Sequence, residues 1–175
     1  MATKRVFVSL EVPEDIKEKI AVLITNFSEL YPHPKENFHI TVKFMGDIEE
    51  SQIGLLESLM QFAAQNIRPL PVDFEGIEPV ESRLRLVAKK TAAFQLLFDT
   101  IISNWQKVAP VLEDKIPFQP HVTLGKFPKV NKLEAVLYNF SNLNFTADTL
   151  VLYETQQGEK TAMYVPLKKV KLTGV

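Results

Sequence analysis

FHITVKF at 38–44 and PHVTLGKF at 120–127 decide how this chain reads. In the first stretch Phe38, Ile40, Val42 and Phe44 alternate with His39, Thr41 and Lys43, the period of two expected of a strand with one apolar face. In the second, Val122 and Leu124 alternate with His121 and Thr123. Residues i and i+2 of a strand point the same way, so each stretch offers an imidazole and a hydroxyl side by side, with apolar neighbours turned into the core. The chain has three histidines and 11 threonines in 175 residues, so two His-x-Thr pairs by chance are on the order of a 1% event.

Working outward, the element order around the two stretches repeats. Residues 5–12 read as a strand, and Pro13 opens a helix over 14–27 with Ile16, Ile20, Leu23, Ile24 and Phe27 at helical spacing. After the 38–44 strand come a helix over 49–66, with Ile53, Leu56, Leu59, Met60 and Ala63 in its stripe, and an extended segment over 69–80. The second half starts again with a strand at 83–90, a helix at 91–105 and the 120–127 strand. A short helix at 131–140 and two strands within 143–155 and 162–172 complete it. Aligning the halves sets Arg5 on Arg83, Ile24 on Ile102, Asn26 on Asn104 and Phe27 on Trp105, and His39 on His121. The expectation is one α+β domain over 1–175, a bilobal duplicated β-α-β-α-β unit. Its pseudo-two-fold halves are roughly 1–80 and 81–175, with two mainly antiparallel sheets facing a central cleft.

Two histidines on opposite walls of a cleft suit in-line displacement at phosphorus, where one group takes a proton from the attacking oxygen and another protonates the departing one. Imidazole titrates near pH 6.5, so near neutrality one ring can be neutral and the other charged. The hydroxyls of Thr41 and Thr123 are placed to donate to non-bridging phosphate oxygens.

Composition narrows the alternatives. Cysteine is absent, which removes disulfides, thiolate nucleophiles and cysteine-based metal sites. No HExxH pattern exists, so no metal and no cofactor are expected. Glu36, Asp47, Glu113 and Asp114 read as surface charges, and His33, between two prolines, as a solvated loop residue. With 46% hydrophobic residues the chain can bury a sizeable core. A net charge of -1 argues against wrapping long duplex nucleic acid. The one dense cationic stretch, 83–90, puts Arg83, Arg85 and Lys89 on one strand face. No apolar run approaches the roughly 20 residues of a membrane span, and the N-terminus lacks the small-residue cleavage site of a signal peptide. A cytoplasmic monomer without membrane contact is expected.

At FHITVKFMG and PFQPHVTLGKF the chain resembles the 2H phosphoesterase superfamily, specifically the RNA 2',3'-cyclic phosphodiesterases also called 2'-5' RNA ligases. The resemblance extends to RVFVSLEVPEDIKEKI and TLVLYET and covers nearly the whole chain. It implies metal-independent hydrolysis of a terminal 2',3'-cyclic phosphate to a 2'-phosphate, with RNA ends or small cyclic nucleotides as partners. His39 would be the proton donor and His121 the proton acceptor. Such relatives commonly carry Arg-Pro-His at the second motif and an Arg soon after it, where this chain has Gln119 and Lys126. Lysine keeps the charge but loses the bidentate fork. Lys126, Lys43, Phe7 and Gln119 are the expected substrate-binding residues, Phe7 by stacking on a base. The competing readings are reversible 2'-5' ligation and a nucleotide- or RNA-binding module without chemistry.

Overall fold

The first strand is β1 (Thr3–Glu11), and Pro13 with Glu14 and Asp15 starts α1 (Glu14–Ile24), acidic residues favouring the positive end of a helix. Ile16, Ile20 and Ile24 are its buried stripe, at the spacing one helix face requires. The computed structural model describes residues 2–113, 117–128, 140–159 and 161–175. After α1 come β2 (Tyr31–Pro32), a 3-10 turn (Lys35–Asn37), β3 (His39–Glu49), α2 (Glu50–Asn66), β4 (Leu70–Val72) and β5 (Phe74–Val80). Then follow β6 (Arg83–Ala88), α3 (Ala92–Trp105), β7 (His121–Lys126), β8 (Phe145–Ala147), β9 (Thr149–Gln157) and β10 (Ala162–Lys171). Thr91 caps α3, its hydroxyl accepting from the Phe94 amide at 3.3 Å. Except for Phe140, the helix expected at 131–140 lies outside the described residues.

The α+β architecture with mainly antiparallel pairing is as the sequence implies. The main sheet runs β10-β9-β1-β3-β7-β6-β5, with β2 on the β7 edge, and β4 pairs with β8 apart from it. All these pairings are antiparallel. The two motif strands, β3 and β7, meet at one residue pair, Ile40 with Val122. The spatial halves do not coincide with 1–80 and 81–175, because β5 pairs with β6 while β9 returns to β1 and β10 to β9. The tight β5–β6 turn, with Glu81 at φ 54°, holds β5 on the second half.

Helices α1, α2 and α3 bury their stripes in one core with Val8, Leu10, Ile40, Leu86 and Val122. A core aliphatic side chain of this kind contributes roughly 1.5–3 kcal/mol on burial. The opposite sheet face carries the two histidines and a separate cluster of Phe7, Val151 and Tyr153, with Tyr164 against it.

Both motifs carry the same irregularity. Ser9 faces Thr41 and Val8 faces Lys43, leaving Val42 as an extra residue; Arg85 faces Thr123 and Leu84 faces Gly125, leaving Leu124 extra. A bulge reverses the side-chain alternation beyond it. Lys43 therefore turns into the helix side, 3% exposed, and donates from Nζ to the Leu112 carbonyl at 2.7 Å. Phe44 emerges on the other face, 54% exposed. The expected strict alternation across 38–44 fails at this point. The register also makes Phe7, not Arg5, the counterpart of Arg83, since these residues face Phe44 and Lys126 respectively.

Candidate active site

Antiparallel pairing of Ile40 with Val122 puts His39 and Thr41 on one side of the bridge and His121 and Thr123 on the other. Stepping one residue either way in that register sets His39 across from Thr123 and Thr41 across from His121. Ile40 and Val122 are both 0% exposed on the core side, so the four polar side chains share the opposite face.

The rings are held in the same way. His39 Nδ1 donates to the Asn37 carbonyl at 2.7 Å, and His121 Nδ1 donates to the Gln119 carbonyl at 2.7 Å. A carbonyl only accepts, so Nδ1 carries the hydrogen in both rings and Nε2 is the atom left for chemistry. The residue two before each histidine is also tied down through its side-chain amide. Asn37 Nδ2 donates to the Ala162 carbonyl at 2.9 Å, and Gln119 Nε2 to the Ala88 carbonyl at 2.8 Å. Gln119 is thus committed to backbone and is not directed at a ligand as the sequence reading expected.

The surroundings differ. His39 sits among aromatic rings, tilted against Phe7 and Tyr153 with centroids 4.9 and 6.0 Å away and edge-on to Tyr164 at 5.1 Å. Its Nε2 accepts from the Thr41 hydroxyl at 2.9 Å in the neutral ring. Burial pulls its pKa down to about 4, against the opposing pull of the Asn37 carbonyl and with the charges of His121, His33 and Lys17 adding to the fall. The pKa of His121 is also lowered, first by burial and then by the cations of Arg85 and Arg83, with the Gln119 carbonyl opposing. Burial pushes the Tyr153 hydroxyl up to about 12.

The remaining expected residues scatter. Phe7 is 0% exposed, covered by Tyr153 and Tyr164 at 5.3 and 5.0 Å, so it cannot stack on a base. The exposed aromatic next to it is Phe44, 5.4 Å away. Lys43 is buried on the core side. Lys126 is exposed at the end of β7 beside Arg83. Lys89 lies beyond β6, its amide donating to the Asp73 carbonyl at 2.8 Å, so the cationic face consists of Arg83 and Arg85.

His33 lies in the expected loop but is half-buried there, not fully solvated. Its amide donates to the Leu124 carbonyl at 2.9 Å, next to the β2–β7 pairing of Pro32 with Gly125. That approach requires glycine, because a Cβ at Gly125 would lie 2.4 Å from the Tyr31 carbonyl oxygen. Burial and the charges of Lys126 and Arg83 lower the pKa of His33. Asn37 is not among the residues expected from sequence, although an amide side chain two places before each histidine is a signal the sequence offers. For His33 and Arg85 the signal is tertiary. No group of three His, Asp or Glu side chains comes together to hold a metal among the described residues, and no helix among them is long and apolar enough to cross a membrane.

A family profile described as the 2'-5' RNA ligase superfamily matches residues 12–159. An RNA 2',3'-cyclic phosphodiesterase of Methanocaldococcus jannaschii is 24% identical over 183 residues, covering 97% of this chain and 92% of the relative. One of Bacillus subtilis is 29% identical over 129 residues, 69% of each chain. Among solved structures, a Thermus thermophilus protein superposes with a TM-score of 0.85 at 20% identity, covering 97% of this chain and 98% of its own. E. coli LigT complexed with 3'-AMP superposes with a TM-score of 0.79 at 18% identity, over 98% and 99% of the two chains. At such identities the superpositions speak for the fold.

Proposed function

Since the chain belongs to the 2'-5' RNA ligase superfamily of 2H phosphoesterases, we propose that it hydrolyses a terminal RNA 2',3'-cyclic phosphate to a 2'-phosphate by paired-histidine acid-base catalysis. One observation carries this reading. Both imidazoles flank the Ile40–Val122 bridge with Nδ1 held by a carbonyl, which leaves two Nε2 atoms on one sheet face, each with a threonine two residues on.

With phosphate between the motifs, water attacks phosphorus opposite the 3' oxygen, and His121 Nε2 takes the proton of the water. The bond from phosphorus to the 3' oxygen breaks, and the proton on His39 Nε2 passes to that oxygen. Thr41 and Thr123 donate to non-bridging oxygens as charge builds there. His39 suits the donor role once substrate is bound: its wall makes the protonated ring a strong acid, and the phosphate anion supplies the opposite charge that loads it with a proton. His121 stays neutral among cations, as a base must. Phe44 and Tyr164 provide aromatic surface for the base beyond the phosphate.

The test is incubation of an oligonucleotide ending in a 2',3'-cyclic phosphate with the protein in EDTA, followed by product identification. A 2'-phosphate product that disappears with His39→Ala and with His121→Ala is expected. No conversion by folded protein, or activity surviving both substitutions, sinks the reading. The family name also supports joining of RNA halves by the same displacement with a 5' hydroxyl in place of water, and a longer 2'-5' linked product on a gel would reveal it.

A further inference from the structure

We propose that Arg85 is a third donor to the reacting phosphate, reaching its non-bridging oxygens from the strand beside the second motif. The inference rests on the reading above, that a phosphate sits between His39 and His121. In the β6–β7 register Arg85 stands across from Thr123, and Val87 across from His121. Cross-strand partners share a face, so the guanidinium rises beside the hydroxyl and the imidazole, while Leu84 and Leu86 fill the opposite face at 0% exposure.

Arg85 is half-buried, and its Nε has no hydrogen-bond partner among the described residues. Lys4, Lys17, Lys35 and Lys171 each hold a carboxylate, but Arg85 takes part in no ion pair among the described residues. Burial lowers its pKa against the fields of Glu78 and Glu81; Glu78 faces it across the β5–β6 pairing, yet neither carboxylate accepts a hydrogen bond from it. A partly desolvated guanidinium without an acceptor is costly, and a phosphate matched to its fork removes that cost.

The first half has no equivalent. Ser9 stands in the corresponding place opposite Thr41 and is 0% exposed, so the cation is one-sided and draws the phosphate towards the second motif. There it opposes the charge gained as water adds to phosphorus. It also lies close enough to His121 to lower its affinity for a proton, which keeps that ring in the form a base needs.

The test combines binding without turnover and turnover itself. Inorganic phosphate is titrated into the protein while the ring resonances of His121 are followed by NMR. In parallel, kcat and KM are measured on an oligonucleotide ending in a 2',3'-cyclic phosphate. Both are done for the unaltered chain, Arg85→Lys and Arg85→Gln, with thermal melts alongside. Arg85→Gln is expected to weaken phosphate about ten-fold or more and to lower kcat about 10²-fold at an unchanged melting temperature, with part of both restored by Arg85→Lys. In the free protein the His121 titration midpoint is expected to rise in Arg85→Gln and to hold in Arg85→Lys. Phosphate affinity and kcat within two-fold of the unaltered chain in Arg85→Gln overturn the proposal. So does a loss that tracks melting and is not restored by lysine. Phosphate binding that depends on Arg85 in a protein that converts no substrate overturns only the proposed function, and turnover indifferent to Arg85→Gln overturns only this inference.

Discussion

The two motifs are locally alike and environmentally unlike. Each has a histidine whose Nδ1 donates to the carbonyl two residues back, an amide side chain anchoring that residue, a threonine at the next place on the same face, and a bulge after it. Around His39 stand Phe7, Tyr153 and Tyr164, whereas Arg85 and Arg83 act on His121. Neighbouring strands, not the motifs, make this difference: β1, β9 and β10 bring rings to the first motif and β6 brings guanidiniums to the second. Two motifs of the same local build thereby acquire a desolvated imidazole and an imidazole among cations, the division that separate acid and base roles require.

The largest expected effect comes from removing either member of the pair. His39→Ala and His121→Ala are each expected to lower kcat by roughly 10²–10⁴-fold, and the double substitution by far less than the product of the two, because the rings act as a unit. Steady-state kinetics on the cyclic phosphate substrate checks this. Equal and multiplicative losses would mean that the two halves act independently.

The buried side of the comparison shows in stability. Folded His39 takes up its proton only at about pH 4, whereas an unfolded chain does so near 6.5. Between those values the unfolded state binds more protons, so stability falls as the pH drops through the window. The full loss from His39 is about 3 kcal/mol. Denaturant titrations of the unaltered chain and His39→Gln at pH 7 and pH 4.5 should show a smaller acid loss in the variant. The same loss in both would place the destabilisation elsewhere.

A milder intervention tests the wall itself. Tyr164→Ala opens the edge-on contact with His39, 5.1 Å between centroids, and admits water. The His39 midpoint, read by NMR, is expected to rise towards 6.5 while that of His121 holds. In the unaltered free enzyme both rings have lowered pKa values, so the kcat/KM optimum is expected below pH 6.5, and an optimum above 7 would contradict the assigned pair.

The smallest effect is expected at the anchors. Asn37→Ala and Gln119→Ala each lose one hydrogen bond to a backbone carbonyl, worth about 1 kcal/mol of stability. The carbonyls that orient the rings remain, so a loss of kcat of only several-fold is expected, measurable beside the melts.

Much of this was legible in the sequence because it depends on local period. Ile16, Ile20 and Ile24 mark a helix wherever the chain places it, and Ile40 and Val122 turn inward on any strand whose other face carries His and Thr. Lys43 and Phe44 were misread because the bulge at Val42 is recorded only in the pairing with β1. Phe7 was misread because its cover arrives from β9 and β10, well over a hundred residues along the chain. Likewise, nothing near His33 tells that Pro32 pairs with Gly125.

By itself, then, the sequence determined helices α1 to α3, the longer strands and the class of fold, and it singled out the two histidines and the two threonines, since these follow from side-chain periodicity and from the chemistry of residue types. Tertiary structure alone decided that the motifs meet at Ile40 and Val122, that β5, β9 and β10 change halves, that His39 is walled by rings and that Arg85 stands beside Thr123. Strand pairing joins residues far apart in the chain, and desolvation depends on everything gathered around a group, so neither can be read from a residue and its near neighbours.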